Sequence, residues 1–240
     1  MCTVTFLPRD ASSFILTSNR DEMTARPSAT PPVIKKYSNY KVMYPQDPLG
    51  GGSWIASDDR NNAICLLNGA FQRHKPQYPY RHSRGLVVLD FFKFDHLCDF
   101  VDFYDLNNIE PFTLVIIHDF QLYEFRWDGL QKFLRNFSFE HPKVWSSVTL
   151  YDAETVIKRE KWFAEWLNKE TYFTLDRILE FHLFGGEGKK EIDVLMERED
   201  HIKTVSITSI LNQNNITTMH YRDILRNEEY SASVTFNKEN

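Results

Sequence analysis

Two short segments at the start of the chain constrain its fold more than any other feature. Thr3 to Leu7 is β-branched and aromatic and reads as a strand. Pro8-Arg9-Asp10-Ala11-Ser12-Ser13 supplies turn residues, and Phe14 to Ser18 reads as a second strand. A hairpin turning near Asp10-Ala11 sets position 2 opposite position 19 or 20. The run Asn19-Arg20-Asp21-Glu22 then ends beside Cys2. If the initiator Met1 is removed, Cys2 carries a thiol and a free α-amine. A thiol titrates near about 8.5 and an α-amine near about 7.7–8.0, so the amine can serve as a base for its own thiol. In that setting Arg20 lowers the thiol pKa and Asp21 holds the α-amine. Glu22 reads as a solvated turn carboxylate.

The remaining composition narrows the function classes. At 240 residues the chain suits one domain spanning 1–240, and 42% hydrophobic residues suffice for a core. A net charge of −5 without a dense basic patch argues against nucleic-acid binding. The 19 Phe suggest an aromatic core before an aromatic-lined pocket. Cys2, Cys65 and Cys98 form no CxxC and no even disulfide framework. Cys65, in the apolar run Ala63 to Leu67, reads as a buried small hydrophobe, and Cys98 reads the same way. No hydrophobic run reaches transmembrane length and no signal peptide precedes Cys2, so the expectation is a cytoplasmic, reduced protein that does not engage a membrane. The eight His show no metal spacing, and the Ser and Thr residues no nucleophile elbow.

Along the chain, Ala25 to Gly52 is Pro- and Tyr-rich and reads as a loop with short extended pieces. Gly50-Gly51-Gly52 fits either a close backbone approach to a ligand or a tight turn before a strand. Ser53 to Ser57 and Ala63 to Asn68 read as strands joined by a polar turn. Gln72 to Arg81 reads as an exposed loop, and Ser83 as the N-cap of a helix over Leu86 to Phe92. Phe112 to Ile117, Gln121 to Trp127 and Leu130 to Leu134 form a meander, and Pro142 to Thr149 is extended. Helices are expected over Asp152 to Asn168, Thr174 to Phe184 and, as a short piece, Glu191 to Arg198. Strands return over Val205 to Ile210, Thr217 to Tyr221 and Tyr230 to Phe236. The pattern alone is α+β.

Met1-Cys2-Thr3 followed by Asn19-Arg20-Asp21-Glu22 resembles the NRDE family. The same opening is similar to bile-salt hydrolases and penicillin V acylases, which are N-terminal nucleophile (Ntn) hydrolases. The blocks Gly51-Gly52-Ser53-Trp54, Leu67-Asn68 and Ser83-Arg84-Gly85 add to the likeness. The resemblance implies a four-layer αββα sandwich with Cys2, Arg20, Asp21 and Asn68 as the catalytic set. Asn68 stabilises the oxyanion, and Asn19, Gly51, Gly52, Trp54, Arg84 and Ser147 contact substrate. Ser147 stands where those hydrolases place an Asn that donates to the oxyanion, and loss of such a donor costs about 2.7–4 kcal/mol of barrier. Arg222 and Arg226 are the candidates for the relatives' late active-site Arg.

The activity implied is hydrolysis or acyl exchange at a non-peptide C–N bond of a small-molecule amide or acyl substrate, through a Cys2 thioester and without a cofactor. The NRDE likeness also implies a different class: a carrier that holds haem or an acyl or lipid ligand without turnover.

Overall fold

The computed structural model describes residues 3–37 and 40–236. Strand β1 (Thr3–Asp10) and strand β2 (Ser13–Met23) form the expected hairpin. Their register pairs Thr3 with Asn19, Val4 with Ser18 and Thr5 with Thr17. Asp10 makes the turn: its carboxylate accepts from the Ser12 N–H and the Ser13 hydroxyl, each at 2.8 Å. The Pro-rich stretch yields two short strands, β3 (Val33–Tyr37) and β4 (Tyr40–Tyr44). β5 (Ile55–Asp58) starts two residues later than expected, and β6 (Ala63–Asn68) has the expected bounds.

Helix α1 (Arg84–Asp90) starts at Ser83, whose side chain accepts from the Gly85 N–H. A second short helix, α2 (Leu97–Phe103), buries Leu97 and Phe100. Cys98 lies between them in sequence and is exposed, not buried as its apolar neighbours suggest. One residue on from Leu97 is a rotation of about 100° on a helix, enough to leave the core. The meander is β7 (Phe112–His118), β8 (Gln121–Trp127) and β9 (Lys132–Phe137). Its last strand begins later than expected, because Asp128 closes the turn by accepting from the N–H groups of Leu130 and Gln131.

Strand β10 (Lys143–Ser146) leads to helix α3 (Ala153–Leu167), capped by Asp152, and helix α4 (Leu175–Phe184), capped by Thr174. The helix expected over Glu191 to Arg198 does not form. Val194 N–H bonds the Gly185 carbonyl and Met196 N–H bonds the Thr204 hydroxyl, so tertiary partners claim the donors that a helix needs. The chain ends in β11 (Ile202–Gln213), β12 (Ile216–Asp223) and β13 (Glu228–Thr235).

The strands form two antiparallel sheets, one of order β10-β1-β2-β11-β12-β13 and one of order β3-β4-β5-β6-β7-β8-β9. The fold is α+β. Three apolar clusters account for the burial. One joins the two sheets through Val4, Phe6, Phe14 and Leu16 on one side and Met43, Ile55, Cys65 and Val115 on the other. A second packs α1 and α2 on the seven-stranded sheet through Val87, Val88, Phe100, Leu114 and Phe125. A third packs α3 and α4 on β1, β2 and β10 through Leu7, Ile15, Val144, Phe163 and Phe181. No helix among the described residues is long and apolar enough to cross a membrane.

Candidate functional site

The alternation of β2 divides its last residues between two faces of the sheet. Phe14 and Leu16 face the other sheet, and Arg20 continues that face, with its guanidinium 4.8 Å from the centre of the Trp54 ring. Asn19 and Asp21 face the opposite way, towards α3, α4 and their connections. The Asn-Arg-Asp run therefore serves two sites at once.

On the Arg20 side lies a cleft of about 130 Å³ lined by Arg20, Glu22, Arg26, Asp47, Gly52 and Trp54, with Asn68 and Arg84 across it. Asp47 organises its charges. Arg20 Nη2 reaches Asp47 Oδ2 at 2.6 Å, and Arg26 Nε reaches the same oxygen at 2.8 Å. Glu22 Oε2 sits 3.8 Å from Arg20 and 3.6 Å from Arg26, closing a square of two cations and two anions. Asp47 also accepts from the Leu49 and Gly50 N–H groups. Burial alone would raise the Asp47 carboxyl, but the Arg26 hydrogen bond, the Gly50 N–H and the charges of Arg20 and Arg26 hold it below the usual carboxylate range.

The glycine run has two separable reasons. Gly51 adopts φ of 69°, and its exposed position does not line the cleft. Gly52 does line it and is pressed against α1: a Cβ there would lie 2.2 Å from the Gly85 carbonyl carbon. Ser53 N–H then bonds the Gly85 carbonyl at 3.0 Å, fixing loop to helix. Trp54 is 2% exposed, and its Nε1 finds no acceptor among the described residues, leaving a buried donor at the cleft wall. Arg84 is engaged by Glu110 at 3.0 Å and by the Pro111 carbonyl at 3.1 Å. Burial pulls its guanidinium below the ordinary range, against the charge of Glu110. Ser147 is buried and does not line the cleft; its hydroxyl donates to the Asn68 carbonyl at 2.9 Å.

Behind the strand, Asp21 accepts from Tyr151 at 3.1 Å and from the Thr204 hydroxyl at 2.5 Å. Asn19 ties the strand to α4. Its amide donates to the Val194 carbonyl at 2.7 Å and to the His182 carbonyl at 3.3 Å. Its Oδ1 must then accept from His182 Nδ1, 2.6 Å away, which leaves Nε2 to accept from the Thr5 hydroxyl at 2.8 Å. Burial, helped by the charge of Arg159, pushes His182 down to about 3, so it is neutral.

The structure thus gathers Arg20, Gly52, Trp54, Asn68 and Arg84 in one cleft. Asn19 and Asp21 lie on the other face of β2, and Gly51 and Ser147 flank the cleft. Cys2 lies outside the described residues, as does Met1. The register at Thr3–Asn19 is the one that the hairpin arithmetic requires of its neighbour. Arg222 pairs with Glu229 at 3.4 Å, and neither it nor Arg226 lines the cleft. Sequence reasoning does not find Asp47, Arg26 or Arg159; an Asp three residues ahead of the glycine run is the one local signal for Asp47.

The fold is similar to that of solved amidase and bile acid hydrolase structures. A Caenorhabditis elegans orthologue of N-acylethanolamine-hydrolyzing acid amidase superposes with a TM-score of 0.59 at 13% identity, over 88% of this chain and 92% of that one. An arginine-to-leucine variant of the conjugated bile acid hydrolase from Clostridium perfringens superposes with a TM-score of 0.61 at 13% identity, over 100% of this chain and 94% of that one. A cysteine-to-alanine mutant of the same hydrolase gives 0.59 at 12% identity, with the same coverage. No curated protein matches by sequence. The chain belongs to the Transport and Golgi organisation 2 family, whose model matches residues 1–220.

Proposed function

We propose that this single-domain protein is an Ntn-type amidohydrolase or acyltransferase acting on a non-peptide C–N bond of a small molecule. Its helices and sheets stack in this reading as an αββα sandwich; the three separate apolar clusters, helix on sheet, sheet on sheet and sheet on helix, support that order. The observation that carries the functional reading is the cleft itself. Five residues from four separate stretches of sequence converge there, and the buried Trp54 Nε1 has no acceptor among the described residues.

In the reaction, Cys2 Sγ attacks the amide carbonyl carbon and forms a C–S bond. The α-amine takes the thiol proton and passes it to the leaving nitrogen as the C–N bond breaks. Asn68 stabilises the oxyanion, and Arg20, held by Asp47, supplies positive potential. Asp21 holds the α-amine. Water, or another nucleophile in acyl exchange, then cleaves the thioester and returns the thiol.

A second reading, a carrier for haem or an acyl or lipid ligand in the same pocket, is favoured by Ser147. Its hydroxyl is committed to the Asn68 carbonyl, so it does not replace the oxyanion donor of the hydrolases. Amidase assays and spectral titration with haem, each on wild type and Cys2→Ala, separate the two. Amide cleavage lost in Cys2→Ala supports the enzyme. Ligand binding that persists in Cys2→Ala, with no amide cleaved by either form, replaces it with the carrier.

A further inference from the structure

Each of the two sheets ends in two edge strands, and an open edge offers unpaired N–H and C=O groups to any further strand. Three of these edges are guarded. β3 carries the exposed Lys35 and Lys36, and β13 begins with the exposed Glu228 and Glu229. β10 is four residues long and packs against α3 through Val144 and Phe163. β9 differs from all of them. Its central Phe133 and Leu134 are 39% and 46% exposed, and no backbone group among the described residues bonds its outer edge. Its two cations do not shield it. Lys132 Nζ turns to the end of α2, where it donates to the carbonyls of Val101 at 2.6 Å and Tyr104 at 3.0 Å. The Arg135 guanidinium lies 4.6 Å from the centre of the Phe137 ring.

Strand alternation splits these residues between two faces. Phe137 packs on the inter-sheet cluster, so Phe133 and Arg135 share that face. Leu134 pairs with Phe125, which packs beneath the helices, so it lies on the other face. Both faces of the edge are therefore open and apolar. The exposed Phe71 meets Phe133 edge to face with ring centres 4.9 Å apart, and the exposed Leu130 stands at the β8–β9 turn. An unguarded strand edge flanked by large apolar side chains is a surface for a further strand.

We propose that β9 pairs antiparallel with β9 of a second copy of this chain about a two-fold axis at Leu134, joining two seven-stranded sheets into one. Parity and charge select this register. A two-fold axis normal to the sheet keeps each face on its own side, so it passes through a residue and not between two. An axis at Arg135 sets that cation opposite its own copy, which is destabilising. An axis at Phe133 pairs only Lys132 to Leu134 within the strands. At Leu134 the ladder runs from Lys132 to Asn136. Leu134 then meets Leu134, each Phe133 meets the partner's Arg135 as a cation–π pair, and each Lys132 meets the partner's Asn136. No like charges stand directly opposite one another. The same strand serves both copies, so the assembly closes at two.

Sedimentation velocity of the full chain at about 10–50 µM reads the assembly directly, since association depends on concentration. Twice the chain mass of 28.4 kDa is expected. Leu134→Lys sets two ammonium groups at the axis and should return the mass to that of one chain, with far-UV circular dichroism unchanged. Leu134→Cys should cross-link to itself on oxidation with copper phenanthroline, because directly opposed Cβ atoms stand about 4.5–5.5 Å apart. Phe133→Cys should not, because its two copies sit diagonally at about 7–8 Å, beyond the reach of a disulfide. Peptide mapping separates these bonds from any through the exposed Cys98. If Leu134→Lys does not fold, the wild-type mass and Leu134→Cys decide. A single-chain mass for the wild type, a dimer that survives Leu134→Lys, or cross-linking through position 133 and not 134 overturns the pairing.

Discussion

The two faces of the β1–β2 hairpin are both closed to solvent and are built from opposite chemistries. Away from Arg20, the face towards the second sheet is apolar: Val4, Phe6, Phe14 and Leu16 are all fully buried, and the tilted rings of Phe6 and Phe139 have centres 5.0 Å apart. The face towards α3 and α4 begins with Thr3, Thr5, Thr17, Asn19 and Asp21, also buried, each bonded to a named partner. Apolar burial is non-directional and contributes by area, so it holds the sheets together without fixing any one atom. A buried polar network is directional and costly when incomplete, so it fixes which atoms meet. The polar face crowds at the end of the hairpin where the proposed nucleophile begins. One face supplies stability and the other supplies position.

Four substitutions or titrations would break or sharpen that contrast. The largest effect belongs to the apolar face: Phe6→Ala should cost about 3–5 kcal/mol in urea unfolding, equally at pH 5 and pH 8. An effect that varied with pH would mean the faces are not separable.

The polar face should respond to acid instead. His182 binds its proton near pH 6.5 when unfolded and only near about 3 when folded. Its contribution is complete above about 6.5 and falls as pH drops, by roughly 1.4 kcal/mol per unit, until about 3. Unfolding measured from pH 7 to pH 4 should show that slope, and His182→Gln should flatten it. A slope unchanged in His182→Gln would assign the acid sensitivity elsewhere.

Asp47→Ala should cost about 3 kcal/mol, because the buried Arg20 loses its principal anion. Here the sharpening lies in a double-mutant cycle with Arg20→Met. Coupling above about 1 kcal/mol is expected for the pair, and none would mean that Asp47 serves only its loop. The smallest effect is at a helix end remote from either face's interior. Thr174→Ala removes the cap of α4 and should cost about 1 kcal/mol, with no change in thiol reactivity.

How much of this was legible in the sequence follows from the range of the interactions. The hairpin, strand β6 and the caps at Ser83 and Thr174 rest on neighbours a few residues apart, and local chemistry places them. The Arg20–Asp47 pair spans 27 residues, and Arg159 finds Thr3 across 156, so nothing beside either residue signals the contact. The Glu191 to Arg198 segment fails as a helix for the same reason: its donors are claimed by Gly185 and Thr204. Of the candidate site, the residues of the Asn-Arg-Asp run and the Gly-Gly-Ser-Trp block were legible as a set. Their division between two faces followed from strand alternation once the register was known. Cys98 was misplaced because a short amphipathic helix exposes one residue between two buried ones.

The central claim is tested most directly by intact-mass and peptide mapping after brief alkylation at neutral pH. The three thiols provide their own scale. Cys65 is buried with its thiol pushed up to about 12, and Cys98 is an exposed thiol on a helix surface. The account predicts a chain that has lost Met1 and labels first at Cys2, ahead of Cys98, with Cys65 silent. A chain that keeps Met1, or one in which Cys98 labels before Cys2, contradicts it.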